Sequence, residues 1–128
     1  MSTKTVGITV FGIPNCDRVR RARAWLRDAG LDHRFHDFRA DGLDDAMLRR
    51  WADRLGGADA LLNRRGTTWR ALDEASRATA GDEAGAIALM RAHPALVKRP
   101  VVEIGGRPLV GFDPEAMADA LASDEEAA

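Results

Sequence analysis

Residues 6–26 have the sequence VGITVFGIPNCDRVRRARAWL, which places a strand, a turn and a helix in direct succession. Residues 6–12 are mostly apolar or β-branched and end on a glycine, as short buried strands often do. The Ile-Pro-Asn that follows is typical of a turn. From Asp17 onward apolar side chains recur with helical spacing. The pattern therefore predicts that Cys16 lies at or next to the N-cap of the first helix.

A cysteine at that position is favoured as a reactive thiol. The unpaired backbone N–H groups and the positive dipole end of a helix favour the thiolate over the thiol. Arg18, Arg20 and Arg21 add positive charge nearby, and Asp17 opposes them mildly. A lone cysteine can also be a small buried hydrophobic residue. The succession of strand, turn and helix favours the reactive interpretation of Cys16.

The composition limits the class of protein. With 128 residues, 45% of them hydrophobic and 30% charged, the chain fits one globular domain. A net charge of −1 gives no overall attraction to nucleic acid or to a membrane surface. No apolar run approaches the ~20 residues of a membrane span, and the first residues lack the pattern of a signal peptide. Cys16 is the only cysteine, so no internal disulfide can form, and we expect a reducing cytoplasmic location.

The remaining elements alternate in a recognisable order. We predict strands at residues 6–12, 32–38, 101–104 and 107–110, and helices at residues 16–29, 43–55, 58–62, 69–78, 82–92 and 114–121. We expect one domain over residues 1–128, with a helical insertion at about residues 43–94 and a flexible tail at about residues 123–128. The Gly105-Gly106 pair is typical of a hairpin turn.

The order β-α-β, helical block, β-β-α predicts an α/β fold. A crossover joins a parallel pair of strands and a hairpin joins an antiparallel pair, so the sheet is mixed and four-stranded. This is the thioredoxin-like layout with a helical insertion between its halves. In such a layout the end of the first strand and the start of the first helix carry the chemistry, which agrees with the placement of Cys16.

Four segments resemble one known family. They are GIPNCDRVRRARAWL (12–26), RFHDFRADGLD (34–44), ALLNRRGTTWRALDE (60–74) and ALVKRPVVEIGGRPLVGF (95–112). The chain is similar to the arsenate reductase-like (ArsC/Spx) family of thioredoxin-like proteins, and within it to the YffB-like group. Members of this family include arsenate reductases, transcriptional regulators and suspected glutathione-dependent thiol reductases.

The resemblance implies roles for individual residues. Cys16 matches the nucleophilic cysteine, and Arg99 matches the arginine that faces the thiol and precedes a cis-proline, here Pro100. Arg65 matches a second arginine on the oxyanion side. The expected catalytic residues are Cys16, Arg99 and Arg65, and the expected glutathione-binding residues are Asn15, Arg64, Lys98 and Pro100. Residues 110–112, Val-Gly-Phe, take the place of a third arginine of the arsenate reductases, which disfavours arsenate as substrate.

The residues also limit the mechanism. Val19 stands where a C-x-x-C motif has its second cysteine, so an outside thiol must resolve any adduct of Cys16. Glutathione, as co-substrate, is favoured because its carboxylates suit arginines, and the thiol of a glutaredoxin-like partner is the other candidate. His33 and His36 alternate on a strand and point to opposite faces, so we expect no metal site.

The expected function is thus a glutathione-dependent thiol/disulfide oxidoreductase that acts as a monomer with no bound cofactor. A non-enzymatic, Spx-like regulatory or adaptor protein is one alternative. An arsenate reductase proper is the other.

Overall fold

The computed structural model describes residues 7–127, with side chains described as far as residue 123. The strands are β1 (Ile8–Gly12), β2 (Arg34–Asp37), β3 (Val101–Ile104) and β4 (Arg107–Val110). The α-helices are α1 (Asp17–Asp28), α2 (Asp45–Leu55), α3 (Thr67–Ala71), α4 (Glu74–Ala78), α5 (Glu83–Ala92) and α6 (Pro114–Ala127). Short 3-10 helices are Ala58–Ala60, Thr79–Gly81 and Pro94–Leu96.

The four strands form one mixed sheet in the order β2-β1-β3-β4. β1 is parallel to β2 and antiparallel to β3, and β3 is antiparallel to β4. The connection from β1 to β2 runs through α1, as a parallel pair requires, and a two-glycine turn joins β3 to β4. The predicted thioredoxin-like, mixed four-stranded sheet is therefore confirmed.

The chain divides into two units, each described by itself. The first unit combines residues 1–37 with residues 99–128, and the second is residues 38–98. In the first unit, one face of β1 and β3 packs against the apolar sides of α1 and α6. The buried residues of this cluster are Ile8, Val10, Val19, Ala22, Leu26, Val102, Ile104, Met117 and Ala120. Burial of the larger of these side chains contributes roughly 1–3 kcal/mol each and holds α1 against the inner strands of the sheet.

The second unit is helical and has its own buried side chains. The largest of them are Trp51, Phe38, Leu48, Leu61, Ile87, Met90 and Leu96. A short antiparallel contact joins the middle of this unit to its C-terminal end, since Asn63 N–H donates to Leu96 O at 2.7 Å and Lys98 N–H donates to Leu61 O at 2.8 Å. An exposed ion pair of 3.1 Å links Arg91 on α5 to Asp45 on α2.

Two helices differ clearly from the sequence prediction. Residues 69–78 were expected to form one helix, but α3 and α4 are separate. The helix breaks because Leu72 has an extended backbone and the Asp73 side chain accepts from Ser76 N–H, which caps a new helix. The last helix was expected to end at Leu121 and continues to Ala127, since no glycine or proline stops it. Val6, the expected first strand residue, and Ala128 lie outside the described residues.

Candidate functional site

The Cys16 thiol lies at the N-terminus of α1, as the sequence predicted. β1 ends at Gly12, and the turn that follows closes when Cys16 N–H donates to Ile13 O at 3.2 Å. Cys16 has extended backbone angles, and its carbonyl accepts from Arg20 N–H at 3.0 Å, so it is the N-cap residue of α1. Its side chain makes no capping hydrogen bond. The sulfur is therefore available for chemistry at a helix N-terminus.

The surroundings of Cys16 are apolar on one side and charged on the other. The side chain is half-buried and packs against the cluster formed by β1, β3, α1 and α6. On the first turns of α1, Arg21 forms a 3.0 Å ion pair with Asp17, and both side chains are 66% exposed. This pair reduces the effect of both charges on the thiol, while Arg18 and Arg20 are exposed.

The Arg99-Pro100 step lies at the same end of the sheet as the Cys16 turn. Phe11 on β1 pairs with Val101 on β3, so one residue further Gly12 stands beside Pro100. The Arg99-Pro100 peptide bond is cis, which confirms the cis-proline predicted there. Arg99 is half-buried, and no carboxylate in residues 7–123 forms an ion pair with its guanidinium. An arginine without a carboxylate partner in residues 7–123 therefore lies at the end of the sheet that also carries Cys16.

The three residues that follow β4 are Gly111, Phe112 and Asp113, none of which is a cation. Gly111 has a positive φ of 85°, and its N–H donates to Pro100 O at 2.7 Å. The segment from Val110 to Phe112 therefore contributes a backbone contact at this end of the sheet. Residues 110–112 stand at the position where the resemblance would place a third arginine.

The arginine-rich loop belongs to the second unit and is ordered by its own contacts. Arg64 forms a 2.8 Å ion pair with Asp59 and lies over the Trp69 ring, 4.9 Å from its centroid. Arg70 donates to the Arg65 carbonyl, and Arg65 N–H donates to the side chain of Asn63 at 3.0 Å. The Arg65 side chain is exposed, and nothing in the described part of the chain pairs with its guanidinium. The guanidinium of Arg64 is therefore held by Asp59 and Trp69, whereas that of Arg65 is exposed and could bind an anion.

The predicted site residues thus fall into two groups. Asn15, exposed in the turn, Cys16, Arg99 and the buried Pro100 all belong to one end of the sheet in the first unit. Arg64, Arg65 and the exposed Lys98 belong to the second unit and are described there by themselves.

Sequence reasoning missed the contact that positions the thiol, between Gly12 and Val19. A Cβ added to Gly12 would lie 2.5 Å from Cγ2 of Val19, a side chain with no exposed surface. Only glycine permits α1 to approach the end of β1 this closely. The glycine that closes the apolar strand, followed by a valine in the first helical turn, was the available signal.

A second contact missed from the sequence joins α1 to β2. Arg23 lies over the Phe35 ring, 4.4 Å from its centroid, and its Nε donates to Nε2 of His33 at 3.2 Å. Burial lowers the pKa of His33 below its ordinary value of 6.5, and the nearby Arg23 lowers it further. A neutral imidazole is the form that can accept this hydrogen bond.

Neither a metal cluster nor a membrane helix is found in the described residues. In that part of the chain, no three His, Cys, Asp or Glu side chains are grouped so that they could hold a metal ion. None of its helices has the length and apolar character needed to cross a membrane.

Comparison with known proteins gives a family match and similar chains. The model of the ArsC family matches residues 11–120. An uncharacterised protein of Haemophilus influenzae is 42% identical over 115 residues, which cover 90% of this chain and 99% of that protein. The solved structure of the YffB protein is 50% identical, with a TM-score of 0.83, and the match covers 89% of this chain and 98% of that one. The global transcriptional regulator Spx of Streptococcus pyogenes is 25% identical over 118 residues, 91% of this chain and 87% of that protein.

Proposed function

Since the chain belongs to the ArsC family and has its arsenate reductase-like thiol oxidoreductase fold, we propose that it is a monothiol oxidoreductase that uses glutathione as co-substrate. The observation that carries the proposal is the position of Cys16. Cys16 is the N-cap residue of α1, and its half-buried side chain makes no capping hydrogen bond. Its sulfur can therefore act as a nucleophile.

The proposed reaction is a pair of disulfide exchanges. The Cys16 thiolate attacks the glutathionyl sulfur of a mixed disulfide, forms a new S–S bond and releases the substrate thiolate, which takes up a proton. A second glutathione thiolate then attacks the Cys16 adduct, releasing the Cys16 thiolate and glutathione disulfide. One glutathione thiol is consumed for each mixed disulfide, so the net reaction converts the substrate mixed disulfide and glutathione into the substrate thiol and glutathione disulfide. Because the chain has one cysteine, no internal disulfide enters the cycle.

In this proposal the neighbouring residues bind the anionic co-substrate. Arg99, without a carboxylate partner in the described residues, binds a glutathione carboxylate and stabilises the thiolate. Asn15, in the turn before Cys16, and Pro100, which follows Arg99, are the other proposed contacts for glutathione at this end of the sheet. Arg65 serves as the second anion-binding group, as the resemblance implies. Lys98 and Arg64 are weaker candidates for glutathione binding, since Lys98 is exposed and the Arg64 guanidinium is paired with Asp59.

The test is the mass of the purified protein after incubation with oxidised glutathione. We expect an increase of one glutathione moiety, reversed by dithiothreitol and absent in Cys16→Ser. Arg99→Ala should slow adduct formation roughly tenfold, the effect of losing one close cation. Arg107→Ala is the matched control, because Arg107 is an exposed arginine at the other end of the same β-hairpin.

Failure of oxidised glutathione to modify Cys16 in the folded protein would remove the enzymatic proposal. It would favour the regulatory alternative, which the likeness to the Spx regulator suggests. We expect weak arsenate reduction, because Gly111 and its neighbours provide no third cation to hold the oxyanion. Rapid arsenate turnover with glutathione and a glutaredoxin would instead favour an arsenate reductase proper.

The proposed setting is the reducing cytoplasm, in which a single thiol persists and glutathione is available. We propose a monomer without bound cofactor and without a nucleic-acid or membrane partner. A glutaredoxin-like protein thiol is the alternative to glutathione as the resolving group.

A further inference from the structure

Three arginines of α1 share one side of the helix with Cys16. Arg20, Arg23 and Arg27 follow Cys16 at intervals of 4, 7 and 11 residues, which fall on one face at 3.6 residues per turn. We call Arg20, Arg23 and Arg27 the arginine stripe. At 1.5 Å per residue the stripe begins about 6 Å from Cys16 along the helix axis and ends about 16 Å from it.

Contacts with β2 and with the residue that precedes it order Arg23, the middle residue of the stripe. Arg23 is held over Phe35 and donates to His33. Burial lowers the pKa of His33, as do the charges of Arg23 and Arg27, while Asp32 opposes them. Because a neutral imidazole accepts the hydrogen bond, the positive charge of Arg23 is not compensated by this contact.

The other two arginines of the stripe are exposed. Arg20 and Arg27 form no ion pair with any carboxylate of residues 7–123. This differs from the first turn on the other side of α1, where Arg21 is paired with Asp17 at 3.0 Å. The stripe is therefore a row of three cations with no anionic partner in the described part of the molecule.

This arrangement costs stability. Like charges three and four residues apart on a helix repel one another, and Arg20 lies near the N-terminus, where a cation opposes the helix dipole. α1 contains five arginines and two aspartates, a net charge of +3, in a chain whose net charge is −1. A helix that concentrates uncompensated positive charge beside a reactive thiol is suited to an anionic partner.

Resting on the proposed function of Cys16, we propose that the arginine stripe docks an acidic segment of a protein whose cysteine exchanges disulfides with Cys16. Glutathione is too short for this surface, since a tripeptide spans at most about 10 Å and its cysteine is the middle residue. A nucleic acid has no sulfur to exchange, and the net charge of −1 does not attract it. A polypeptide with carboxylates near its cysteine meets both requirements.

The test uses peptides of equal length with one cysteine, blocked as a mixed disulfide with thionitrobenzoate and followed by glutamate, serine or lysine residues. The Cys16 thiolate attacks the peptide sulfur, forms the Cys16–peptide disulfide and releases coloured thionitrobenzoate, so the probe is the oxidant. In low salt the glutamate peptide should react roughly fivefold or more faster than the serine peptide, and the lysine peptide should be slowest. High salt should remove the difference.

Variants locate the effect on the stripe. In Arg20→Ala/Arg27→Ala the ratio of glutamate to serine rates should fall towards one, and taking this ratio cancels any change in the intrinsic reactivity of Cys16. Arg27→Ala alone, far from the thiol, should lower the ratio in part. Arg49→Ala/Arg54→Ala, which removes two exposed arginines of α2, is the matched control and should keep the wild-type ratio.

The outcomes separate the two proposals. If Cys16 reacts with oxidised glutathione but all three peptides react equally fast with the wild-type protein, the docking proposal is wrong and the proposed function stands. If neither glutathione nor any peptide modifies Cys16, both are wrong. Tight binding of a fluorescent single-stranded oligonucleotide that is lost in Arg20→Ala/Arg27→Ala, without any preference for the glutamate peptide, would assign the stripe to nucleic acid instead.

Discussion

Gly12 controls how closely the helix that carries the thiol can approach the sheet. Because a Cβ there would lie 2.5 Å from the buried Val19, Gly12→Ala must push α1 away from β1. We expect a loss of about 1–3 kcal/mol in the free energy of unfolding, measured by urea denaturation, and slower glutathione adduct formation at Cys16.

A second substitution tests that explanation of the Gly12→Ala defect. Val19→Ala removes the methyl groups that the new side chain meets, so the double variant should be less destabilised than the sum of the single changes. Full additivity of the two single effects would show that Gly12 and Val19 do not clash in the way described.

Arg64 and Arg65 are neighbours with different surroundings. The guanidinium of Arg64 is paired with Asp59 and stacked on Trp69, whereas that of Arg65 is exposed. We expect Arg65→Ala to slow formation of the glutathione adduct several-fold and Arg64→Ala to change the rate less. Because its ion pair is exposed, Arg64→Ala should cost about 0.2–1 kcal/mol of stability. Equal effects of the two variants on the adduct rate would contradict this division of roles.

Between α1 and β2, the contact of His33 with Arg23 makes stability depend on pH. The folded protein holds the pKa of His33 below 6.5, so just below that pH the unfolded chain binds more protons. The free energy of unfolding should therefore fall as the pH drops through about 6.5 and level off below the folded-state pKa. Urea denaturation at about pH 7.5 and about pH 5.5 measures this loss.

Two glutamine variants separate His33 from other titrating groups. His33→Gln should lose less stability between the two pH values than the wild type, because glutamine does not titrate. His93→Gln, at an exposed histidine of the second unit, should behave as the wild type does. If His33→Gln retains the full pH dependence, some other group is responsible for it.

Elements with a clear period could be predicted from the sequence. The four strands and the start of α1 follow from apolar runs, glycines and a proline, which act over a few residues. The break between α3 and α4 could not be predicted in this way, because residues 69–78 are acceptable helix formers throughout. The break depends on whether the Asp73 side chain caps Ser76 N–H or points to solvent, which propensity does not decide.

For the chain as a whole, the order of elements fixed which residues meet at one end of the sheet. The placement of Cys16, Arg99 and the cis Pro100 followed from that order together with the family resemblance. The ion pair that engages Arg64 and the alignment of Arg23 with Phe35 could not be predicted. Both depend on side-chain packing between residues whose spacing along the chain has no regular period.

The position of Cys16 one short turn after an inner strand of the sheet has a mechanical consequence. β1 is hydrogen-bonded to β2 on one side and to β3 on the other, and only the turn from Ile13 separates it from the thiol. In the proposed mixed disulfide, a pull on the partner would therefore reach a strand that is held by two ladders at once. Tension along the axis of β1 would have to shear both ladders together, whereas an edge strand such as β2 or β4 is held by one ladder, so β1 would resist such a pull better than an edge strand.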